Sequence, residues 1–188
     1  MSVNNIINSF SAAPSRLGSA AYMIGPGILA PGPMATANGG LVAGLNNAIR
    51  VVEFNLSVGI SISRCCAHCA TAGVGAAVSF GIYSFDGSNL LVNSGLFNAL
   101  VNNTDFENTF TSVSLPPGTY WHAQTEGAGV ASTWTNLTTF PGFLRTNTIF
   151  KKMGRSATAS VGGVLPAAIS LVLTDDADAT IIEAIWRP

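Results

Sequence analysis

From Arg50 onward, apolar and polar side chains alternate along the chain with a period of two residues. In the segment VVEFNLSVGISI the odd positions from 53 to 61 carry Glu, Asn, Ser, Gly and Ser, while the even positions are apolar. Successive side chains of a β-strand point to opposite faces, so this period predicts one long strand with one buried face. The apolar even positions are Val52, Phe54, Leu56, Val58, Ile60 and Ile62.

Similar short segments follow, separated by glycine, proline, asparagine and aspartate. In AAVSFGIYSF, Val78, Phe80 and Ile82 share one face, and the DGSN sequence after it predicts a turn. Helical periodicity is absent from the longer segments, although a helix is allowed around 97–103. The sequence therefore predicts an all-β fold, an antiparallel β-sandwich or jelly roll, over residues 50–188. Further strands are predicted at 89–93, 109–115, 119–125, 131–138, 157–161, 168–174 and 180–186.

Residues 1–49 differ in composition from the rest of the chain. They contain one charged side chain, Arg16, and the prolines and glycines at 25–33 interrupt any helix or hydrogen-bonded ladder. The segment is nevertheless too apolar for an ordinary solvated tail. We interpret it as an extended N-terminal arm that lies on a partner surface; a first strand after a disordered start is the alternative. The candidate partner contacts are Ile6, Ile7, Phe10, Tyr22, Met23 and Ile24.

Charged residues make up only 9% of the 188-residue chain, against roughly 25% in typical soluble domains. So few charges predict that copies of the chain, or another protein, cover much of the surface. The net charge of −1 gives no sign of nucleic-acid or anionic-membrane binding. An uninterrupted apolar run of about 18 residues, as a membrane span needs, is absent, and MSVNNIINSF does not have the pattern of an export signal.

The three cysteines all lie in the segment RCCAHCA. Cys65, Cys66, His68 and Cys69 are candidate metal ligands by residue type, but a strand here would place Cys66 and His68 on one face and Cys65 and Cys69 on the other. One compact zinc site would then need a bulge or a turn. We interpret the cysteines as small buried or interfacial residues; metal binding, a redox role and an inter-subunit role are the alternatives.

Residues that could perform catalysis are present without the partners that catalysis needs. His122 has no evident nucleophile or orienting group, and we interpret it as a residue on the polar face of a strand. Glycoside hydrolysis needs two paired carboxylates, whereas the candidate acids are expected to be scattered in turns. The sequence therefore predicts a protein that is not an enzyme and has no cofactor. The scattered acids are Asp86, Asp105, Glu107 and Glu126.

Two short charged segments lie near the C-terminus. TDDADAT carries Asp175, Asp176 and Asp178 but lacks the ligand spacing of a calcium loop, so we interpret it as an acidic surface turn. KKMGR carries Lys151, Lys152 and Arg155, which is too small a basic group for a nucleic-acid surface.

The segment LPPGTYWHAQ, residues 115–124, has the composition of a turn that leads into a strand. Leu115 is predicted to end one strand, and the turn is predicted at Pro116, Pro117 and Gly118 because proline fixes φ and glycine accepts positive φ. Residues 120–124 are then predicted to run back through the sheet. The aromatic side chains there are predicted to supply core or subunit-interface area.

Three motifs together resemble a known domain. FGIYSFDGSNLLVNSG, LPPGTYWHAQ and the later LPAAISL are similar to motifs of a β-sandwich domain found in virion proteins of tailed bacteriophages, among them tail fibres, head fibres and head decoration proteins. The resemblance covers residues 50–188 and implies a jelly-roll-like sandwich with a structural role, commonly as a trimer. It carries over no functional residue.

Two functions fit these observations. The first is a capsid decoration or cement protein, bound as a homotrimer to the major capsid protein or other proteins on the outside of a phage head assembled in the host cytoplasm. The alternative is a tail-fibre or baseplate module that binds a host surface glycan or protein, with Trp134, Phe140 and Phe143 as candidate receptor contacts. A glycan-modifying enzyme and a non-viral lectin-like sandwich are further alternatives.

Overall fold

The computed structural model describes residues 22–25, 28–30, 41–43, 46–56, 58–98, 101–127, 132–137, 153–174, 181–182 and 184–188. Over these ranges the regular secondary structure consists of β-strands without a helix. The predicted all-β class is therefore confirmed. The strands are β1 Tyr22–Gly25, β2 Ile28–Ala30, β3 Leu41–Ala43, β4 Ala48–Leu56, β5 Ile60–Thr71, β6 Val78–Ser84, β7 Leu90–Phe97, β8 Thr104–Leu115, β9 Gly118–Glu126, β10 Thr133–Leu137, β11 Met153–Ala159, β12 Leu173–Thr174, β13 Ile181–Ile182 and β14 Ile185–Arg187.

The strands form two antiparallel sheets. In sheet A, β5 pairs along one side with β8 and along the other with β14 and β10, while β1 and β2 extend the sheet beyond β14 and β3 and β13 pair with β10. Sheet B has the order β12-β11-β4-β9-β6-β7. The predicted β-sandwich is confirmed.

The chain crosses from one sheet to the other at two places where the sequence predicts otherwise: one lies inside a predicted single strand, and the other is a predicted turn back into the same sheet. β4 belongs to sheet B and β5 to sheet A, so the single strand predicted over VVEFNLSVGISI is wrong. Val58, which continues the apolar alternation, lies between the two strands and is 57% exposed. Likewise β8 ends at Leu115 as predicted, but β9 returns in the opposite sheet. The Tyr120 hydroxyl donates to the Pro116 carbonyl oxygen at 2.8 Å and fastens that second crossing.

The main core lies between the two sheets. It is built from the apolar residues that alternate along the strands, so that Phe54 and Phe80 of sheet B face Ile62, Cys65 and Trp186 of sheet A. The alternation in β5 changes phase at a bulge between Ile62 and Arg64, where the even positions stop facing inward and the odd positions begin to.

A second apolar cluster covers the outer face of sheet B. The covering segment, residues 160–172, lies against this face, where Leu165 and Ile169 pack on Tyr83 and Trp121. It is fixed by the Tyr83 hydroxyl, which donates to the Pro166 carbonyl oxygen at 2.6 Å, and by backbone hydrogen bonds to β7 and the turn before it. The middle of sheet B is therefore buried on both faces, and β9 is buried at every residue from Tyr120 to Glu126.

Part of the proposed N-terminal arm contributes strands to sheet A. Tyr22 and Met23 of β1 pair with Trp186 and Ile185 of β14, and β2 pairs with β1. Ile6, Ile7 and Phe10 lie outside the described residues. Whether the segment also contacts a partner stays a prediction.

Two local predictions have clear outcomes. The DGSN turn is confirmed: Asp86 accepts hydrogen bonds from the backbone and hydroxyl of Ser88, and Gly87 has φ of 74°. The helix allowed around 97–103 is wrong, because the described residues there are the end of β7 and a turn in which Asn103 has positive φ.

Candidate functional site

The outer face of sheet A carries a row of polar side chains. On β5, the phase change at the bulge turns Cys65, Ala67 and Cys69 toward the core and leaves Arg64, Cys66 and His68 facing outward. On β8, Asp105 and Glu107 face outward by the same two-residue period. We call Arg64, Cys66, His68, Asp105, Glu107 and Arg187 of β14 the polar cluster.

Strand register places these side chains directly opposite one another. Cys66 is paired with Glu107, and His68 is paired with Asp105. The Cys66 thiol donates to Glu107 Oε2 at 3.1 Å, and the His68 Nδ1–H donates to Asp105 Oδ1 at 2.7 Å. The cluster therefore consists of two neighbouring cross-strand pairs, each joining a nitrogen or sulfur atom to a carboxylate.

Two arginines lie near Glu107, one of the two carboxylates on this face. Arg64 Nη1 is 3.8 Å from Glu107 Oε1, and Arg187 Nη1 is 4.0 Å from Glu107 Oε2. These side chains are about half exposed, so each ion pair contributes at most about 1 kcal/mol. With Ala67 and Phe106, five of the six cluster residues, all but Arg64, line a cleft of about 270 Å³. It carries both signs of charge.

The thiol in the cleft is a weak acid. Partial burial, followed by the hydrogen bond to Glu107, raises the pKa of Cys66 to about 11, although the two arginines act in the opposite direction. Burial also raises the pKa of the inward-facing Cys65 and Cys69. Because the thiolate is the nucleophilic form, none of the three is activated for nucleophilic catalysis near neutral pH.

The structure confirms the predicted facing of the cysteine segment. Cys66 and His68 share the outer face, and Cys65 and Cys69 share the inner face. The four residues therefore do not meet in one site. Among the described residues, no group of three or more His, Cys, Asp or Glu side chains is arranged to hold a metal ion.

His122 does not lie on a polar face, and that prediction is wrong. Its side chain is fully buried between the sheets, stacked on Phe80 with centroids 6.1 Å apart and edge-on to Trp186 at 6.2 Å. Neither ring nitrogen has a hydrogen-bond partner among the described residues. Burial lowers the pKa of His122 to about 4, so the ring is neutral at physiological pH.

Three of the four carboxylates that were predicted to lie in turns lie in strands instead. Only Asp86 lies in a turn, where hydroxyl and backbone donors of Ser84 and Ser88 lower its pKa to about 2. Asp105 and Glu107 lie on one face of β8, and Glu126 is buried at the end of β9. Glu126 Oε1 accepts from the Ser132 amide at 2.8 Å, and burial raises the pKa of this carboxyl.

The sequence reasoning missed the pairing of β5 with β8. A signal was present, because TDFENTF alternates acidic and apolar residues just as RCCAHCA alternates outward and inward ones. The pairing of β5 with β8, however, brings together residues about 40 positions apart in the chain. Local periodicity does not specify which strands pair.

The structure describes only some of the other residues that the sequence analysis singled out. Trp134 lies in β10, paired with Val42 and Cys69 through the backbone, and Arg155 lies in β11. Phe140, Phe143, Lys151 and Lys152 lie outside the described residues, as do Asp175, Asp176 and Asp178.

Comparisons with known proteins give no relative. No family model, no curated protein and no solved structure matches this chain. In the part of the chain that the structure describes, no helix is long and apolar enough to span a membrane.

Proposed function

We propose that this chain is a structural protein of a bacteriophage virion, a decoration or cement protein that binds the outer surface of the head and stabilises it. The proposal makes the chain non-enzymatic and homotrimeric, with the major capsid protein as its partner. The trimer and the virion context derive from the resemblance of the sequence motifs to virion sandwich domains, and the β-sandwich fold is consistent with that resemblance.

The observation that carries the proposal is an apolar, uncharged loop region at one end of the sandwich. Val74 and Val161 are each 82% exposed, and Val101 is 58% exposed. They lie in the described parts of three connections, residues 72–77, 101–103 and 160–164, which contain no charged side chain. We call this region the valine end.

Hydrogen bonds hold these connections together as one surface. Asn102 Oδ1 accepts from the Ala72 amide at 2.7 Å, which joins the first two connections. The Ser79 hydroxyl, one residue into β6, donates to the Gly163 carbonyl oxygen at 2.5 Å and fixes the third. Exposed apolar residues that are rigidly held together are typical of a surface that another protein covers.

A decoration protein acts by mass action. If it binds the assembled shell and not the separated subunits, binding lowers the free energy of the assembled state and opposes disassembly. An attachment surface without charges suits this role, because its affinity depends on apolar burial and changes little with ionic strength.

The experiment is an attachment assay on heads that lack this protein, together with antibody labelling of complete virions. We expect dense label over the head, and we expect Val74→Lys and Val161→Lys to abolish attachment. Val58→Lys is the matched control, because Val58 is exposed in a sheet-crossing connection outside the valine end. Normal attachment of the Val74 and Val161 variants would contradict the assigned surface, and absence of label from virions would contradict the function.

Truncation tests the N-terminal arm separately. Deletion of residues 1–21 leaves β1 to β3 in the chain, whereas deletion of residues 1–45 also removes three strands of sheet A. If the arm contributes to attachment, the shorter deletion weakens binding to heads without changing the thermal unfolding of the sandwich. Unchanged binding would restrict attachment to the valine end.

A receptor-binding module is the second candidate, and the cleft of the polar cluster is the observation that favours it. Arginine, imidazole and carboxylate groups that line one cleft are groups that form hydrogen bonds with hydroxylated ligands such as glycans. In this case label is confined to the tail tip, the purified chain binds host cells, and Glu107→Gln, a change in the cleft, weakens that binding. Trp134→Ala tests the sequence-based contact separately.

A further inference from the structure

A buried carboxyl lies at the base of the valine end. Glu126 is the last residue of β9 and is only 2% exposed. The next residue contacts two of the three connections: the Gly127 amide donates to the Ala77 carbonyl oxygen at 2.7 Å, and a Cβ on Gly127 would lie 2.5 Å from the carbonyl carbon of Gly162. Glu126 is therefore placed where the first and third connections meet the sandwich.

The Glu126 side chain holds the first connection through Ser132. Glu126 Oε1 accepts from the Ser132 amide at 2.8 Å, and the Ser132 hydroxyl oxygen accepts from the Gly73 amide at 3.0 Å. Ser132 is itself fully buried. Gly73 directly precedes Val74, which is exposed at the valine end. Two hydrogen bonds in series thus connect the buried carboxyl to the backbone beside an exposed apolar side chain.

The second oxygen of this carboxyl has no hydrogen-bond donor. Glu126 Oε2 is buried and unpartnered among the described residues. Burial without a partner costs free energy for any polar atom, and the cost is larger when the group is charged. Ionisation would place negative charge on this desolvated oxygen, so the site suits a neutral carboxyl.

Three other titratable side chains face the same space between the sheets. Arg50 of β4 is paired with Gln124, the neighbour of Glu126 on this face of β9, and His122 follows on the same face. Cys69 lies on the inner face of β5, and burial, followed by the charge of Glu126, raises the pKa of its thiol. His122 is neutral at physiological pH because burial lowers its pKa to about 4.

The folded chain favours the neutral form of Glu126. Burial raises the pKa of this carboxyl, although the Ser132 amide and hydroxyl act in the opposite direction as hydrogen-bond donors. The contribution of such a group to stability is fully present below the unfolded pKa and is lost as the pH rises through the folded pKa. The loss begins at the base of the valine end, because the carboxyl is buried there.

We propose that Glu126 is a pH-sensitive latch for the valine end. The neutral carboxyl holds Ser132 and, through it, the first connection. When the carboxyl ionises, the series of hydrogen bonds from Glu126 to Gly73 opens so that water reaches the charge, and Val74 leaves its place in the apolar surface. The latch itself does not depend on a phage head, whereas its effect on attachment rests on the proposed function.

Hydrogen exchange of the full chain tests the latch without any head. Protection factors refer each amide to its unfolded rate at the same pH, so the ordinary acceleration by base cancels. Between the ordinary glutamate pKa of 4.5 and the folded value, the protection of the Gly73 and Ser132 amides should fall by about tenfold per pH unit, and then level off. The Gly87 amide, which donates to Ser84 in the turn after β6, should keep constant protection.

Two variants of Glu126 separate its charge from its hydrogen bond. Glu126→Gln keeps an oxygen that accepts from Ser132 but cannot ionise, so the protection of both amides should no longer depend on pH. Glu126→Ala removes the acceptor, and both amides should lose protection at every pH. Glu107→Gln, on the outer face of sheet A, is the matched control and should retain the pH dependence of the parent. Protection that is constant with pH in the parent, or that falls equally in Glu126→Gln, overturns the latch.

Attachment to heads that lack this protein tests the consequence for binding. The parent should bind more weakly above the folded pKa than below the unfolded one, whereas Glu126→Gln should bind equally at both pH values. If exchange shows the latch but the chain attaches to heads at neither pH, the latch stands and the proposed function fails. If the chain attaches equally at both pH values and its exchange protection does not depend on pH, the function stands and the latch fails.

Discussion

The two sheets have the same pleat, but their outer faces meet different surroundings. The outer face of sheet B is covered by residues 160–172, so Trp121 and Tyr83 are buried although they point away from the space between the sheets. The outer face of sheet A along β5 and β8 is exposed to solvent and carries the polar cluster. One face is therefore part of a core, and the other is available for binding.

The two histidines of the chain lie in these two different surroundings. His122, in sheet B, is fully buried without a hydrogen-bond partner among the described residues, whereas His68, in sheet A, donates to an exposed carboxylate. Both occur in segments with a similar apolar and polar alternation. The alternation fixes which residues share a face, but what covers that face depends on distant parts of the chain.

The largest expected effect is that of Trp121→Ala. Trp121 is 5% exposed and its indole N–H donates to the Phe85 carbonyl oxygen at 2.8 Å. Truncation of a buried tryptophan costs about 3 to 5 kcal/mol. His68→Ala, on the outer face of sheet A, is the comparison and should cost less than about 1 kcal/mol. Urea unfolding checks both, and similar small losses would mean that the covering segment does not protect sheet B.

Acid should destabilise the protein through His122. The folded pKa of His122, about 4, lies below the ordinary histidine value of 6.5, so the unfolded chain binds more protons between these values. Stability is therefore lost as the pH falls from 6.5 to 4, by about 3 kcal/mol in total, and the loss levels off below pH 4. Unfolding measured across this range should show the slope, and His122→Leu should remove it.

Glu126 and His68 provide the controls for that slope. Burial raises the pKa of Glu126. Its contribution to stability therefore changes with pH in the opposite direction, and stability is lost as the pH rises above the pKa that Glu126 has in the unfolded chain. The difference between the parent and His122→Leu cancels this contribution. His68→Gln should retain the loss of stability between pH 6.5 and pH 4. If that loss disappeared in His68→Gln, the group that takes up the proton would be His68 and not His122.

Much of the fold could be predicted because local periodicity dictates it. The placement of Cys65 and Cys69 on the face opposite to Cys66 and His68, and the turn at Gly87, follow from side-chain alternation and from residues that accept turn geometry. Which of the two faces points inward depends on the bulge between Ile62 and Arg64, which the alternation does not predict. The crossing between β4 and β5 could not be predicted in this way. Val58 fits the alternation on both sides, and the chain changes sheets there because each half finds a different partner strand.

The sequence predicted the positions of only two of the four paired side chains of the polar cluster. Cys66 and His68 were placed on one face by the sequence, but their partners Asp105 and Glu107 were assigned to turns. The pairing depends on the register of β5 with β8, which is set by core packing along the whole ladder. In the same way, no local feature around His122 indicates that the ring of Trp186, more than 60 residues later in the chain, packs edge-on against it.

Two neighbouring glycines of the covering segment should differ in effect. Gly163 has φ of 79°, and a Cβ there would lie 2.5 Å from the Ala77 carbonyl oxygen, whereas Gly162, with φ of 59°, has open space around it. Gly163→Ala should cost about 2 to 3 kcal/mol from collision and backbone strain, and Gly162→Ala about 1 kcal/mol from strain alone. Equal losses by thermal unfolding would indicate that the segment does not pack against Ala77.

The smallest expected effect lies on the exposed face of sheet A. A double-mutant cycle with His68→Gln and Asp105→Asn should give a coupling of only about 0.2 to 1 kcal/mol, because both side chains are hydrated. Urea unfolding of the parent, the two single variants and the double variant measures this coupling. A large coupling would mean that the pair is buried, and that the outer faces of the two sheets are alike.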